Sequence, residues 1–350
     1  MHLAFMRLRS EVLTGKGKET MKKEEKSAWI QTILMGNKAL FIVLALGIFL
    51  TIASPAFLSS RNLLNVVRQV CVSTLLSIGF TFALAGGYID LSIGTLMGLC
   101  GMILGKLVVE ARMPLVPAIL IVLVIAVIGG LLNASIISVF SVPAFVVTLA
   151  TQSIFKGANY LISDLVPISG LPESLLFLGQ GYLFGIPVPI YIMLAIVLIA
   201  WVLMNRTKFG RYVLAVGGNA EAARAAGISI RQINYGVYII CGLCAGIASV
   251  IMTGRVGSAQ VSAGVGMEMD AIAAVVIGGT SMNGGNANVF GTLFGCLLVG
   301  IVNNGMNLLS IDTNWQVIAK GVLILFAVVI DVVSARAQAR RLNRQAQAGR

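Results

Sequence analysis

Few side chains in this 350-residue sequence can do chemistry, and most of them sit inside apolar runs. The single histidine, His2, lies in a polar leader, which removes histidine-based acid–base chemistry from consideration. The five cysteines, Cys71, Cys100, Cys241, Cys244 and Cys296, all fall in apolar runs. Cys241 and Cys244 share a helix face, as a metal or redox pair would. No second Cys or His pair completes a ligand set, so buried free thiols acting as small hydrophobes are the stronger reading. Three ionisable residues stand in apolar sequence: Asp90, Asp270 and Lys320. Charge at membrane depth is costly and marks function or structural pairing. Asp90 follows a Gly-Gly break and can cap the helix that starts after Leu91 and Ser92; Asp270 opens an apolar run and admits the same reading. Lys320 can pair with either acid. Arg68, Lys106, Lys156 and Asp331 lie nearer the ends of runs, Lys106 and Asp331 as interfacial anchors. Asn303, Asn304 and Asn307 place three amides within about one turn, with 303 and 307 on one face. Such a face suits the wall of a passage for an uncharged polar solute, or hydrogen bonds between helices. The candidate path residues are Gly86, Gly87, Asp90, Ser92, Asp270, Asn303, Asn304 and Asn307. No nucleophile–base pair or metal cluster stands out, which makes an intramembrane enzyme the weakest class.

The elements that must hold these residues follow from composition. The chain is 58% hydrophobic and 11% charged, with mean hydropathy +0.95, where a soluble domain carries roughly 25% charged residues. That leaves too little polar surface to cover a water-soluble particle, and it excludes a soluble enzyme, a disulfide scaffold and a disordered chain. The apolar runs are near twenty residues long, the length that crosses a hydrocarbon core of about 30 Å at about 1.5 Å per residue. The expectation is an all-α polytopic membrane protein of about ten transmembrane helices. They lie near 39–57, 66–86, 91–109, 115–133, 142–162, 186–204, 233–254, 268–283, 289–307 and 314–333. Gly-rich breaks divide the second from the third and the eighth from the ninth, so these pairs also read as broken or re-entrant helices.

The net charge of +12 resembles a nucleic-acid signal until it is mapped. The basic residues gather in a tail over 1–38, a loop over 205–232 and a tail over 334–350. Lys and Arg in short loops stay cytoplasmic, so this is a topology signal and no nucleic-acid partner is expected. Six spans and then four separate the three basic regions, and both counts are even, as a cytoplasmic location of all three requires. The expected membrane domain is 39–333, with both termini cytoplasmic. The loop 163–185 then faces outward, and a loop of that length is uncommon without a task. The leader lacks a small-residue cleavage site, so it does not read as a removed signal peptide. Met21 opens a plausible start (MKKEEK), with residues 1–20 an alternative start or an added segment.

Residues 82–98 and 274–295 echo each other: apolar segment, Gly-Gly, polar break, then Gly-Thr-Leu-x-Gly. The Gly pairs begin at 86 and 278 and the Gly-Thr-Leu at 94 and 291, so the second copy holds five extra residues. The echo reads either as a parallel internal repeat, of the kind that transporters build around a pathway, or as the common composition of Gly-rich membrane helices.

The loop 205–232 holds the strongest motif. From Asn219 to Ile228 it is rich in helix formers, with Asn219 as N-cap, Glu221 in the first turn and Gly227 as a stop. A helix of small side chains lets another protein approach its backbone closely, and it lacks the large apolar face of a lipid-lying helix. Glu221-Ala222-Ala223-x-x-x-Gly227 resembles the EAA loop of ABC importer permeases. No Leu-Pro follows and Val237 stands where an Ile is expected, a departure usual in the sugar branch. Gly86 to Gly94 (GGYIDLSIG), Gly210 to Asn219, Asp270 to Ser281 and Asn303 to Leu309 resemble ribose-type monosaccharide permeases. The resemblance covers about residues 40–333. It implies that Gly210, Asn219, Glu221, Ala222, Ala223 and Gly227 form a coupling helix docked on an ABC ATP-binding subunit. It further implies a second permease copy, in a homo- or heterodimer, and an extracytoplasmic sugar-binding protein. The chain itself would be no enzyme and would hold no cofactor or metal. The absence of any G-x-x-x-x-G-K-[ST] agrees, placing ATP hydrolysis on a partner. The competing readings are an ABC permease for another small solute and an ion-gradient-driven secondary transporter or channel. The latter needs a chain of buried carboxylates, for which only Asp90 and Asp270 qualify.

Overall fold

The computed structural model describes residues 38–312, 314–326 and 328–329. His2, Met21, Asp331 and the basic tail lie outside the described residues. In chain order the helices are α1 (Lys38–Ala53), α2 (Ser60–Ala85), α3 (Ile93–Gly105), α4 (Leu115–Phe140), α5 (Ala144–Ser163), α6 (Glu173–Gln180), α7 (Val188–Arg206), α8 (Lys208–Gly218), α9 (Ala220–Ala225), α10 (Ile230–Val256), α11 (Met267–Ile277) and α12 (Val289–Leu308). A last apolar helix, α13, covers Asn314–Phe326. A π-helical turn, Lys106–Glu110, extends α3. A short antiparallel hairpin pairs β1 (Tyr182–Leu183) with β2 (Ile186–Pro187).

Local chemistry fixes where these helices start. Ser59, Thr207, Ser229 and Asn288 each accept a first-turn backbone N–H, opening α2, α8, α10 and α12. Pro114, Pro143, Pro172 and Pro187 stand immediately before α4, α5, α6 and α7, where a missing N–H costs nothing.

The bundle is built around α10, which packs on α2, α3, α4 and α6. Close approach comes from glycine: a Cβ at Gly242 would overlap the Ala126 carbonyl, and one at Gly130 would overlap that of Tyr238. On the far side of α4, Val116, Leu120, Val124 and Ile128 are exposed at every fourth position, an apolar stripe suited to lipid.

A helix occupies each of the ten expected positions, but not every one is a crossing. Among the described residues six helices are long and apolar enough to cross a membrane: α2, α3 with its π turn, α4, α7, α10 and α12. The expected eighth span, 268–283, contracts to the 11 residues of α11, about 16 Å and half a hydrocarbon core. Two outer spans also shift: α2 begins at Ser60 and α4 runs on to Phe140. The loop 163–185 contains α6 and half of the hairpin, which its Pro and Gly content concealed. The 205–232 loop holds two helices, α8 and α9, where the sequence pointed to one.

Candidate functional site

At one end of the bundle, α8 and α9 share a single residue. Asn219 closes α8 and caps α9, its Oδ1 accepting from the Ala222 N–H at 2.9 Å. The stop is a Schellman turn: Gly227, at φ +82, donates to the Arg224 carbonyl, and Ile228 donates to that of Ala223. The expected coupling residues divide in two. Asn219, Glu221, Ala222 and Gly227 are exposed, with Glu221 paired only to Arg224 at 3.2 Å. Ala223 is buried, and Gly210 is buried in the α7–α8 corner, where a Cβ would overlap the Met204 carbonyl. The surface open to a partner is therefore one face of α9 and its stop.

The first break follows α2. Gly86 caps that helix and Gly87 turns the chain at φ +79. Asp90 and Ser92 are buried, and Asp90 Oδ1 accepts from both the Ser92 N–H at 3.0 Å and the Ser92 hydroxyl at 2.6 Å. Asn133 of α4 donates to Ser92 Oγ at 2.8 Å and accepts from Thr151 of α5 at 2.7 Å. Asp90 thus holds Ser92, the residue before α3, and begins a fully buried chain of polar groups that reaches α4 and α5. Both of these Asp90 bonds run to Ser92 and not to a residue within α3.

The second break is larger. After Gly257 ends α10, residues 258–266 leave helical structure and run back along α3. Ala259 and Ile168 exchange backbone hydrogen bonds at 2.9 and 3.0 Å, and Asn159 of α5 donates to the Val261 carbonyl at 2.7 Å. Gly105, Gly98 and Gly94 of α3 face Ala259, Ala263 and Gly264 in that order. Helix α11 then begins opposite the start of α3, partway through the bundle. Non-helical backbone is stable at membrane depth only where protein or a water-filled cavity covers it. Ser262, Val265 and Gly266 are exposed on this chain, beside exposed Ser153 and Lys156 of α5. Glu268, in the first turn of α11, is 4% exposed; its Oε1 accepts from Gln152 of α5 at 2.7 Å. Its Oε2 faces Gly94 and has no hydrogen-bond partner among the described residues. Gln152 and Glu268 were passed over in the sequence. The signal was present: Thr148, Thr151, Gln152 and Asn159 give α5 a polar face at helical spacing within an apolar run.

The remaining path candidates are held in bonds between helices. Asp270 pairs with Lys320 of α13 at 2.9 Å, and Asn303 Nδ2 lies 3.5 Å from the same carboxylate oxygen. Asn304 and Asn62 of α2 exchange both their amide hydrogen bonds, at 2.7 and 3.0 Å, and Asn307 accepts from Gln316 at 2.9 Å. The structure brings Asp270, Asn303 and Lys320 together and keeps Asp90 apart from them. The two acids therefore form no continuous carboxylate relay. Nearer the ends, Lys106 pairs with Glu110 at 3.2 Å, and Arg68 donates to the Gln180 carbonyl while lying over the Tyr182 ring. All five cysteines are buried and free, and among the described residues no group of three or more His, Cys, Asp or Glu is arranged to hold a metal.

An apolar helix bundle, broken at depth beside a polar helix and carrying a capped small-residue helix at one end, defines a membrane permease. The chain belongs to the family described as branched-chain amino acid transport system / permease component, whose model matches residues 62–328. It is 38% identical over 315 residues to the ribose import permease protein of Haemophilus influenzae, covering 89% of this chain and 97% of that one. The ribose import permease protein of Bacillus subtilis is likewise 38% identical, over 89% and 98% of the two chains. The galactose/methyl galactoside import permease protein of Salmonella typhimurium is 34% identical over 83% and 91%. No solved structure matches the chain. The ribose-type permease resemblance read from the sequence is borne out.

Proposed function

We propose that this chain is the transmembrane permease subunit of an ATP-driven ABC importer for a monosaccharide of the ribose class. Relatives at 38% identity named for ribose import carry that reading, and the amino-acid wording of the family's description does not fit them. The solute arrives on an extracytoplasmic binding protein, and hydrolysis takes place on a partner ATP-binding subunit that grips the exposed face of α9, with Asn219, Glu221, Ala222 and Gly227 at the contact. Both termini and the α8–α9 end are cytoplasmic, in the bacterial inner membrane, which the three basic regions support. A second permease copy, identical or related, covers the polar strip formed by α5 and residues 258–268. The solute passes between the copies along this strip, over Ser153, Ser262 and the Lys156 ammonium, contacts that hold a sugar weakly enough to release it. Gly86, Gly87, Asp90 and Ser92 shape the strip from behind, while Asp270, Asn303, Asn304 and Asn307 brace the helices beside it.

Uptake of radiolabelled ribose into vesicles holding the permease, its ATP-binding subunit and binding protein tests this reading. Accumulation is expected to require ATP and all three components, with galactose competing more weakly than ribose. Accumulation without the ATP-binding subunit would refute the ATP-driven assignment, and no uptake of any pentose or hexose would refute the substrate class.

A further inference from the structure

The break after α2 and the α11–α12 connection meet at one residue of the coupling loop. A Cβ on Gly217, the next-to-last residue of α8, would overlap the Ala85 carbonyl oxygen at the end of α2 and lie 2.7 Å from the Gly285 nitrogen. The same Gly285 N–H donates to the Ala85 carbonyl at 2.9 Å. From the α11–α12 connection, a Cβ on Gly284 would lie 2.6 Å from the Gly217 carbonyl oxygen; from the break after α2, a Cβ on Gly87 would lie 3.7 Å from the Gly217 Cα. Gly284 and Gly285 hold φ of +78 and +75, a conformation that suits glycine. Three backbone segments, from α2, α8 and the α11–α12 connection, are thus in direct contact, with no side chain among the atoms nearest Gly217.

Side chains absorb a displacement by changing rotamer, whereas close-packed backbone passes it on. Only Gly218 and Asn219 separate Gly217 from α9. The connection beyond the contact is itself braced: Asn288 N–H donates to Thr280 Oγ1 at 3.0 Å, tying the start of α12 to the residues just past α11. A shift of α9 therefore reaches the first break through Ala85 and the half-helix α11 through Gly284 and Gly285.

We infer that Gly217 is a positioning residue for transport: a backbone joint through which movement of the coupling helix is delivered to both broken elements at once. The inference rests on α9 docking the ATP-binding subunit. The test uses the complete complex in vesicles, with an environment-sensitive fluorophore on Asn283→Cys, an exposed position in the α11–α12 connection. Two variants are compared with the parent: Gly217→Ala, and a single Ala inserted between Gly218 and Asn219. The insertion falls at the exposed junction between the last residue of α8 and the cap of α9, and adds no side chain at Gly217. Both are expected to retain the ATP-binding subunit and basal ATPase activity. Both should lose ribose uptake at least tenfold and lose the ATP-dependent fluorophore response. Gly218→Ala, whose Cβ would sit 3.8 Å from the Gly285 Cα, is expected to behave as the parent. Should Gly217→Ala fail to insert, the insertion variant decides alone. Parental uptake and fluorophore response in either variant, with the ATP-binding subunit bound, would overturn the joint while leaving α9 docking intact. If the parent itself retains no ATP-binding subunit, the docking assignment fails and the joint with it.

Discussion

The two Gly-Thr-Leu-x-Gly copies, Gly94–Gly98 in α3 and Gly291–Gly295 in α12, are built alike and packed differently. In both, the threonine hydroxyl donates back to the carbonyl of the residue capping its helix: Thr95 to Ser92 and Thr292 to Asn288, each at 3.1 Å. In both, two glycines four apart leave bare backbone on one face. On α3 that face receives the non-helical chain at Ala263 and Gly264; on α12 it receives helix α11 at Ala274 and Gly278. The two copies therefore grip one broken segment from opposite ends. Their surroundings are not duplicated: α2 precedes the first copy as 26 continuous helical residues, and α11 precedes the second as 11. The motif marks a surface that accepts backbone, and similarity of sequence here means similarity of role and not of the surrounding architecture.

The heaviest blow to this comparison would come from filling the grooves. Gly98→Val and Gly295→Val each drive side-chain atoms into a carbonyl, of Ala263 and Ala274 respectively. Both are expected to abolish inserted, foldable permease, read as membrane yield and as aggregation temperature in detergent. Gly101→Ala meets only the rotatable Thr253 hydroxyl at 2.7 Å and should keep most of the yield. A tolerated Gly295→Val beside a lethal Gly98→Val would break the equivalence.

The breaks themselves differ in how they are fastened, and this sets the next effects. Asp270→Asn leaves Lys320 without its partner. Removing one member of a buried pair costs about 3–5 kcal/mol, and the third-exposed Lys320 side chain reduces this to roughly 1–2 kcal/mol. The double variant Asp270→Asn/Lys320→Met should recover most of the loss in thermal unfolding. At the first break, Asn133→Leu cuts the bridge from Ser92 to Thr151 and is expected to cost about 1–2 kcal/mol. No double variant with a charge partner should rescue it, because the fastening is hydrogen-bonded. The smallest structural effect belongs to Glu221→Ala, whose pairing with Arg224 is exposed. Unfolding temperature should not move, while ATP-driven uptake falls severalfold; unchanged uptake would remove Glu221 from the coupling surface.

Much of the arrangement was legible without coordinates. The Asn219 cap, the Gly227 stop and the positions of ten helices depend on residues within a few positions of one another. Other features escaped. The amide trio read equally as passage wall or as glue, and only the partners Asn62, Asp270 and Gln316 identify it as interhelical bonding. Gln152 and Glu268 are 116 residues apart, so no spacing rule joins them. Helix α8 was missed because its glycines, Gly210, Gly217 and Gly218, argue against a helix locally. Two of the three are needed for contacts with other elements, at the α7 corner and at the break junction.

By itself the sequence determined an all-helical membrane chain, the places of its helices and the two Gly-Gly breaks, since hydropathy, periodicity and capping act over one or two turns. The fold alone decided that the eighth run stops halfway, that a non-helical segment of turns lies in the glycine face of α3, and that Lys320 chooses Asp270. Each of those depends on which backbones come close enough to touch, a quantity fixed by distant parts of the chain.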